Sequence, residues 1–170
     1  MIKYRISKYN PKNKNLQNTW SSYSDIGKIY NGKIFTVEEY LLMEKNYINL
    51  ILFILKENNI KNIKLEKLEI VFSIQELNKM LNDSGLFLSL EDINLINNLK
   101  NNKIFTFYEL PRLIRLILRE CFWGVLVSKN SKCIIEFGYD YYMYISGINL
   151  KIPKIVYLKN LNLYIEKLVF

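Results

Sequence analysis

Three of the chain's four arginines, Arg112, Arg115 and Arg119, recur at spacings of three and four, so on a helix they form one ridge. A guanidinium ridge offers planar, bidentate hydrogen bonds, which suits it to clamp an acidic protein surface or phosphate. The competing use is internal pairing, with Glu109, Glu120, Glu136 and Asp140 as nearby carboxylates. A second set is aromatic. Tyr139, Tyr141, Tyr142 and Tyr144 crowd one stretch, and Trp123 precedes them. Strand alternation puts Tyr142 and Tyr144 on one face, which could stack nucleic-acid bases or anchor a protein interface, where Tyr, Trp and Arg are enriched. Core packing must consume some of these rings. A third set is acidic. Glu38, Glu39 and Glu44 fall in the first two turns of a helix. There the first two complement the helix dipole, and all three could form an anionic patch for a basic partner.

What is missing narrows the chemistry. The chain contains no histidine. That removes histidine general bases, Ser-His and Cys-His nucleophile pairs, and histidine-ligated metals. No Gly-rich phosphate loop, paired-carboxylate signature or metal-ligand spacing can be read, so no catalytic residue, cofactor or metal is assigned. The chain reads as a binding protein and not an enzyme. Cys121 and Cys133 are too few for a disulfide framework or a zinc site, and both fall in candidate core elements, where buried thiols are expected.

A chain of 170 residues, half of them hydrophobic, is long enough for one domain with a substantial core. The formal charge of +8 admits nucleic acid or a membrane surface as partner. Composition supplies a plainer source. Lys, Asn, Ile and Tyr abound, four arginines stand against twenty lysines, and alanine is absent, which is what an AT-rich coding sequence produces. The longest apolar run, Tyr47 to Leu55, is interrupted by Asn49 and falls short of the ~20 residues that span a bilayer. The opening residues lack the apolar core of a signal peptide. A cytoplasmic protein with no membrane association is therefore expected.

The elements that must position these residues follow from periodicity. Ile2 to Tyr9 alternates as a strand and stops at Asn10-Pro11; residues 12–18 form a basic surface loop. Thr19 to Gly27 clusters hydroxyls with Asp25, a structured loop that packs Trp20 and satisfies its own backbone. Asn31-Gly32 marks a hairpin tip. Thr36 and Glu39 make a capping box that opens a long, broadly apolar helix to about Lys56. A strand is expected near 60–72, with Ile63, Leu65 and Lys67 on one face. Two short helices follow, capped by Ser73 and Ser89. Thr106 and Glu109 form another box, and the helix they open carries Phe107, Leu110, Leu113, Ile114, Ile117, Leu118 and Cys121 on one face. It feeds a three-strand meander over Phe122–Val127, Lys132–Phe137 and Tyr139–Ser146. A connection from Gly147, a short helical turn after Pro153 and a last strand over Leu161–Phe170 complete the chain. The fold class is α+β: one domain, an antiparallel sheet built on the C-terminal-half meander and joined by the terminal strands, with several helices packed against it.

Four segments resemble a known family. They are Tyr4-Arg5-Ile6-Ser7-Lys8-Tyr9-Asn10-Pro11; Trp20-Ser21-Ser22-Tyr23-Ser24-Asp25-Ile26-Gly27-Lys28; the helix start Thr36-Val37-Glu38-Glu39-Tyr40; and Arg112 to Glu120 followed by Phe137-Gly138-Tyr139-Asp140-Tyr141-Tyr142-Met143-Tyr144. Together, in order and over most of the chain, they are similar to small bacterial immunity proteins encoded beside polymorphic or contact-dependent growth inhibition toxins. The resemblance implies a stoichiometric inhibitor that binds one cognate toxin domain and blocks its active site or substrate access. It supplies no binding residues, because immunity surfaces vary with the toxin. Immunity proteins against nucleases are often acidic, and this chain is basic, so a local acidic face would be needed for such a target. Glu38, Glu39, Glu44, Arg112, Arg115, Arg119, Tyr142 and Tyr144 are the candidate partner-binding residues. The alternative is a basic nucleic-acid-binding module, the less favoured of the two readings.

Overall fold

Two kinds of pattern build the molecule, period-two apolar alternation for a sheet and capped apolar stripes for helices. The computed structural model describes residues 2–12, 19–128, 133–150 and 159–168. The strands are β1 (Lys3–Ser7), β2 (Ile29–Tyr30), β3 (Lys33–Ile34), β4 (Asn62–Glu69), β5 (Ile104–Thr106), β6 (Trp123–Val127), β7 (Ile134–Phe137), β8 (Met143–Ser146) and β9 (Tyr164–Leu168). The helices are α1 (Val37–Glu57), α2 (Ile74–Asp83), α3 (Leu90–Asn97) and α4 (Leu110–Leu118). Seven strands form one antiparallel sheet in the order β5-β4-β6-β7-β8-β1-β9, and β2 and β3 pair separately as a hairpin with Asn31-Gly32 at its tip. The α+β class, the meander β6-β7-β8 and the joining of the terminal strands to it all hold.

Register assigns the two faces. Leu65, Leu126, Ile135, Ile145 and Tyr4 are aligned across five strands, and all are buried. The apolar stripes of α1 and α4 share one core with this row. One residue along, Glu66, Val125, Glu136, Tyr144, Arg5 and Glu166 make the row on the other face. Its charged members are half-buried and paired: Lys3 with Glu136 at 2.7 Å, Arg5 with Glu166 at 2.7 Å, Lys64 with Glu66 at 2.5 Å. The period of two thus sends hydrocarbon one way and charge the other.

The boxes at Thr36, Ser73 and Ser89 all form, each hydroxyl accepting from the third helical amide while the acid returns to the cap amide. The expected box at Thr106 does not cap a helix. Thr106 is spent as the last residue of β5, opposite Asn62, and both its amide and its hydroxyl donate to Glu109. Residues 107–109 are a turn, and α4 begins at Leu110 with Pro111 in its first turn. The third meander strand is also shorter than its alternation suggests. It starts at Met143, because Asp140 and Tyr141 adopt left-handed backbone and close a tight turn. In β4, Ile63 and Leu65 are buried as expected, but Lys67 sits at a positive φ where the register with β6 shifts, and it is exposed. Both cysteines are buried and free. Residues 13–18 of the basic loop, 129–132 of the meander turn, 151–158 of the expected helical turn and 169–170 of the last strand lie outside the described residues.

Candidate functional site

Where β6 begins and β7 turns into β8, the half-exposed sheet face opens into a groove of about 740 Å³. Its walls are aromatic, Trp123, Tyr139, Tyr142 and Tyr144, and its charged groups are Glu69, Glu120, Glu136, Asp140 and Lys3. Four carboxylates face one ammonium on a protein whose net charge is +8. The groove is therefore a local reversal of the molecule's charge.

Backbone irregularities bring these acids together. The bulge at Lys67 (φ 50°) resets β4 so that Glu69 lies opposite Trp123. Glu120 follows the last turn of α4 at φ 57°, and its carboxylate accepts from Ser22 Oγ at 2.9 Å. Glu136 projects from β7 and pairs with Lys3. Asp140 and Tyr141, at φ 58° and 60°, are the central residues of a two-residue hairpin turn of the kind that favours Asn-Gly. A bulky residue at positive φ is uncommon and must be held there by its surroundings. Tyr141 is held: its ring meets Trp20, Tyr40 and Tyr47 edge-on at 5.1–5.9 Å, and Tyr47 Oη donates to its carbonyl at 2.5 Å. The turn in turn presents Tyr139, which is 93% exposed. Gly138 leaves space for the neighbouring ring, since a Cβ there would lie 3.0 Å from Tyr144 Cε2. Beside the groove Ile70 and Val71 are exposed, Val71 by 77%, so the acids adjoin an apolar rim.

The candidates read from sequence separate. Tyr142 and Tyr144 both line the groove. The arginine ridge turns inward, onto partners that sequence proximity does not indicate. Arg119 and Glu44 are buried together in a bidentate pair, Nε to Oε2 at 2.7 Å and a terminal nitrogen to Oε1 at 2.8 Å. Glu44 is therefore no part of an acidic surface with Glu38 and Glu39, and Arg119 is no surface clamp. Glu39 serves the Thr36 box, and both it and Glu38 are exposed. Arg115 reaches Asp92 at 2.5 Å and Arg112 approaches the same oxygen at 3.4 Å. Burial pushes the Asp92 carboxyl up, but the Ser89 amide and Arg115 outweigh it and hold it below its ordinary value. Sequence reasoning did not bring Lys3, Glu69, Glu120, Glu136 and Asp140 together, because a bulge, a helix end and a tight turn converge here and none has a periodic signature. The crowding of tyrosines around Asp140 was the only pointer.

Behind the groove lies Lys8. Its ammonium sits 4.0 Å from the ring centres of both Tyr9 and Trp20 and donates to the Trp20 carbonyl. Burial pushes it down to about 7, against the pull of Asp25 and Asp140. The unfolded chain, with lysine near 10.5, therefore binds a proton that the folded protein releases above about pH 7. Stability is expected to rise with pH from about 7 until the buried thiols and tyrosines reverse the trend. Burial raises Cys121 from 9.0 to about 12 and Cys133 to about 11, so stability they confer is lost as pH climbs from about 9 through those values. Urea titrations at pH 6 and 8.5 check this: Lys8→Met should flatten the rise, and an unchanged rise would place its source elsewhere.

Among the described residues, no set of three His, Cys, Asp or Glu side chains converges as a metal site, and no helix is long and apolar enough to cross a membrane. What the groove can do chemically is bind a cation through carboxylates and ring faces. Compared with known protein families, curated proteins and solved structures, the chain matches none of them.

Proposed function

We propose that this protein is a stoichiometric inhibitor of the immunity type, which binds one cognate toxin domain and occludes its active site or its access to substrate. The observation that carries the reading is the groove: a concave patch of Trp and Tyr, rimmed by exposed apolar side chains and carboxylates, on an otherwise basic molecule. Aromatic anchors within a charged rim are what a specific protein interface needs. The resemblance of four segments, in order, to immunity proteins supports the same reading. The ridge of Arg112 and Arg115 contributes little, since one carboxylate already engages both guanidinia.

The test is capture followed by rescue. The tagged protein, in lysate of its native host with and without nuclease treatment, is expected to retain one protein in equal amount. Expression of that protein's toxic domain alone should arrest growth, and co-expression of this chain should restore it. Asp140→Lys with Glu120→Lys should abolish retention and rescue, whereas Glu38→Lys should not. Retention of nucleic acid instead, lost steeply with salt, would replace this reading with that of a nucleic-acid-binding module.

A further inference from the structure

The sheet face beside the groove already displays one chemical arrangement twice. Lys3 pairs with Glu136 and lies 4.9 Å over the Tyr144 ring. Arg5 pairs with Glu166 and lies 5.1 Å over the Tyr142 ring. In each, a cation is held between a carboxylate and the face of a tyrosine. The groove extends this pattern without completing it. Glu69, Glu120 and Asp140 stand near Trp123 and Tyr139, and among the described residues no ion pair holds any of the three. Carboxylates and indole or phenol faces are present, and among the described residues no cation forms an ion pair with these three acids.

We infer that the groove takes a cationic, arginine-bearing segment of the partner protein, whose guanidinium pairs with Glu69, Glu120 or Asp140 and stacks on the aromatic wall. This rests on the groove being the partner-facing surface. Arginine fits better than lysine because its planar fork can bond a carboxylate bidentately while its face lies on a ring. Lys3 then acts as a resident competitor, holding Glu136 and Tyr144 with the chemistry the incoming segment uses.

A fluorescent nona-arginine peptide tests this with the full-length protein and no toxin. On a molecule of charge +8, a polycation can bind only where the field is locally reversed. At an ionic strength of about 20 mM, saturable binding is expected, weakening with added salt. Glu120→Gln with Asp140→Asn should lower affinity about tenfold, in the range of two lost charge pairs. Asparagine tolerates the left-handed backbone at position 140, so the turn is retained. Lys3→Met should act in the opposite direction and tighten binding severalfold, a result that misfolding cannot imitate. Glu38→Gln should leave affinity unchanged. No binding, or binding indifferent to the groove acids and to Lys3, would overturn the inference. So would spermine binding as tightly as the peptide, because the groove would then be a site for small polyamines. Loss of peptide binding with partner capture intact would remove the arginine segment and leave the inhibitor reading in place. Peptide binding without any toxin partner would do the reverse.

Discussion

Replacing Arg119 by methionine is expected to cost the fold about 3–5 kcal/mol, the penalty of leaving a buried carboxylate without its cation. Glu44 and Arg119 are 4% and 8% exposed, so water cannot substitute for the lost partner. The pair is bidentate, and another guanidinium nitrogen donates to the Phe87 carbonyl at 3.4 Å. Arg119 thus ties the end of α4 to the middle of α1 and to the loop between α2 and α3. Burial opposes its charge, but the bonds to Glu44 outweigh that and raise its pKa above the ordinary arginine value. The double variant Glu44→Leu, Arg119→Met removes both charges and should recover most of the loss, because a buried pair gains little over well-packed hydrocarbon. Denaturant unfolding of the unaltered protein and both variants measures these effects. A single-variant loss below about 1 kcal/mol would mean that water reaches the pair.

The second large effect is expected at Tyr141, and it has an unusual order. Truncation to alanine should cost about 3–5 kcal/mol, as for other buried aromatic rings, because the ring fills the space between Trp20, Tyr40 and Tyr47. Glycine should cost roughly 1 kcal/mol less than alanine, since it alone adopts φ 60° without a Cβ conflict. In a relaxed backbone the order would be the opposite. On the function proposed above, both variants should also weaken capture of the partner, although Tyr141 itself is buried, because it fixes the turn that presents Tyr139 and Asp140. Alanine and glycine variants of equal stability would show that the turn carries no conformational strain.

Local rules read much of this fold from the sequence. The boxes at Thr36, Ser73 and Ser89 place three helix starts, alternation finds the strand at Lys3–Ser7, and aromatic and β-branched enrichment finds the one at β6. The exception at Thr106 is a conflict between two local roles. Its box residues are in place, but pairing with Asn62 claims its backbone for β5. The surroundings of the candidate residues were less legible for a different reason. A helical spacing shows that Arg112, Arg115 and Arg119 share a ridge but not what that ridge faces. The partners Asp92 and Glu44 lie 23 and 75 positions away, and only the tertiary fold brings them in. Tyr142 and Tyr144, singled out by aromatic crowding around Asp140, both line the groove.

The place of β1 has a consequence for how the molecule assembles. This strand is internal to the sheet, with β8 on one side and β9 on the other, and Arg5 meets Glu166 from 161 positions away. During synthesis it leaves the ribosome long before either neighbour exists. Its backbone donors and acceptors must wait, and the antiparallel sheet cannot close until β8 and β9 have been made. Such non-local pairing slows folding and prolongs the exposure of unpaired strand edges. The α1 helix, by contrast, has its cap and its apolar stripe within its own sequence and can form early. Folding should therefore begin in the helices and finish by inserting β1 between β8 and β9 once both have been made. If the protein acts as the inhibitor proposed above, its action lags behind the synthesis of β9, and a cell relying on it would need a folded reserve before its target appears.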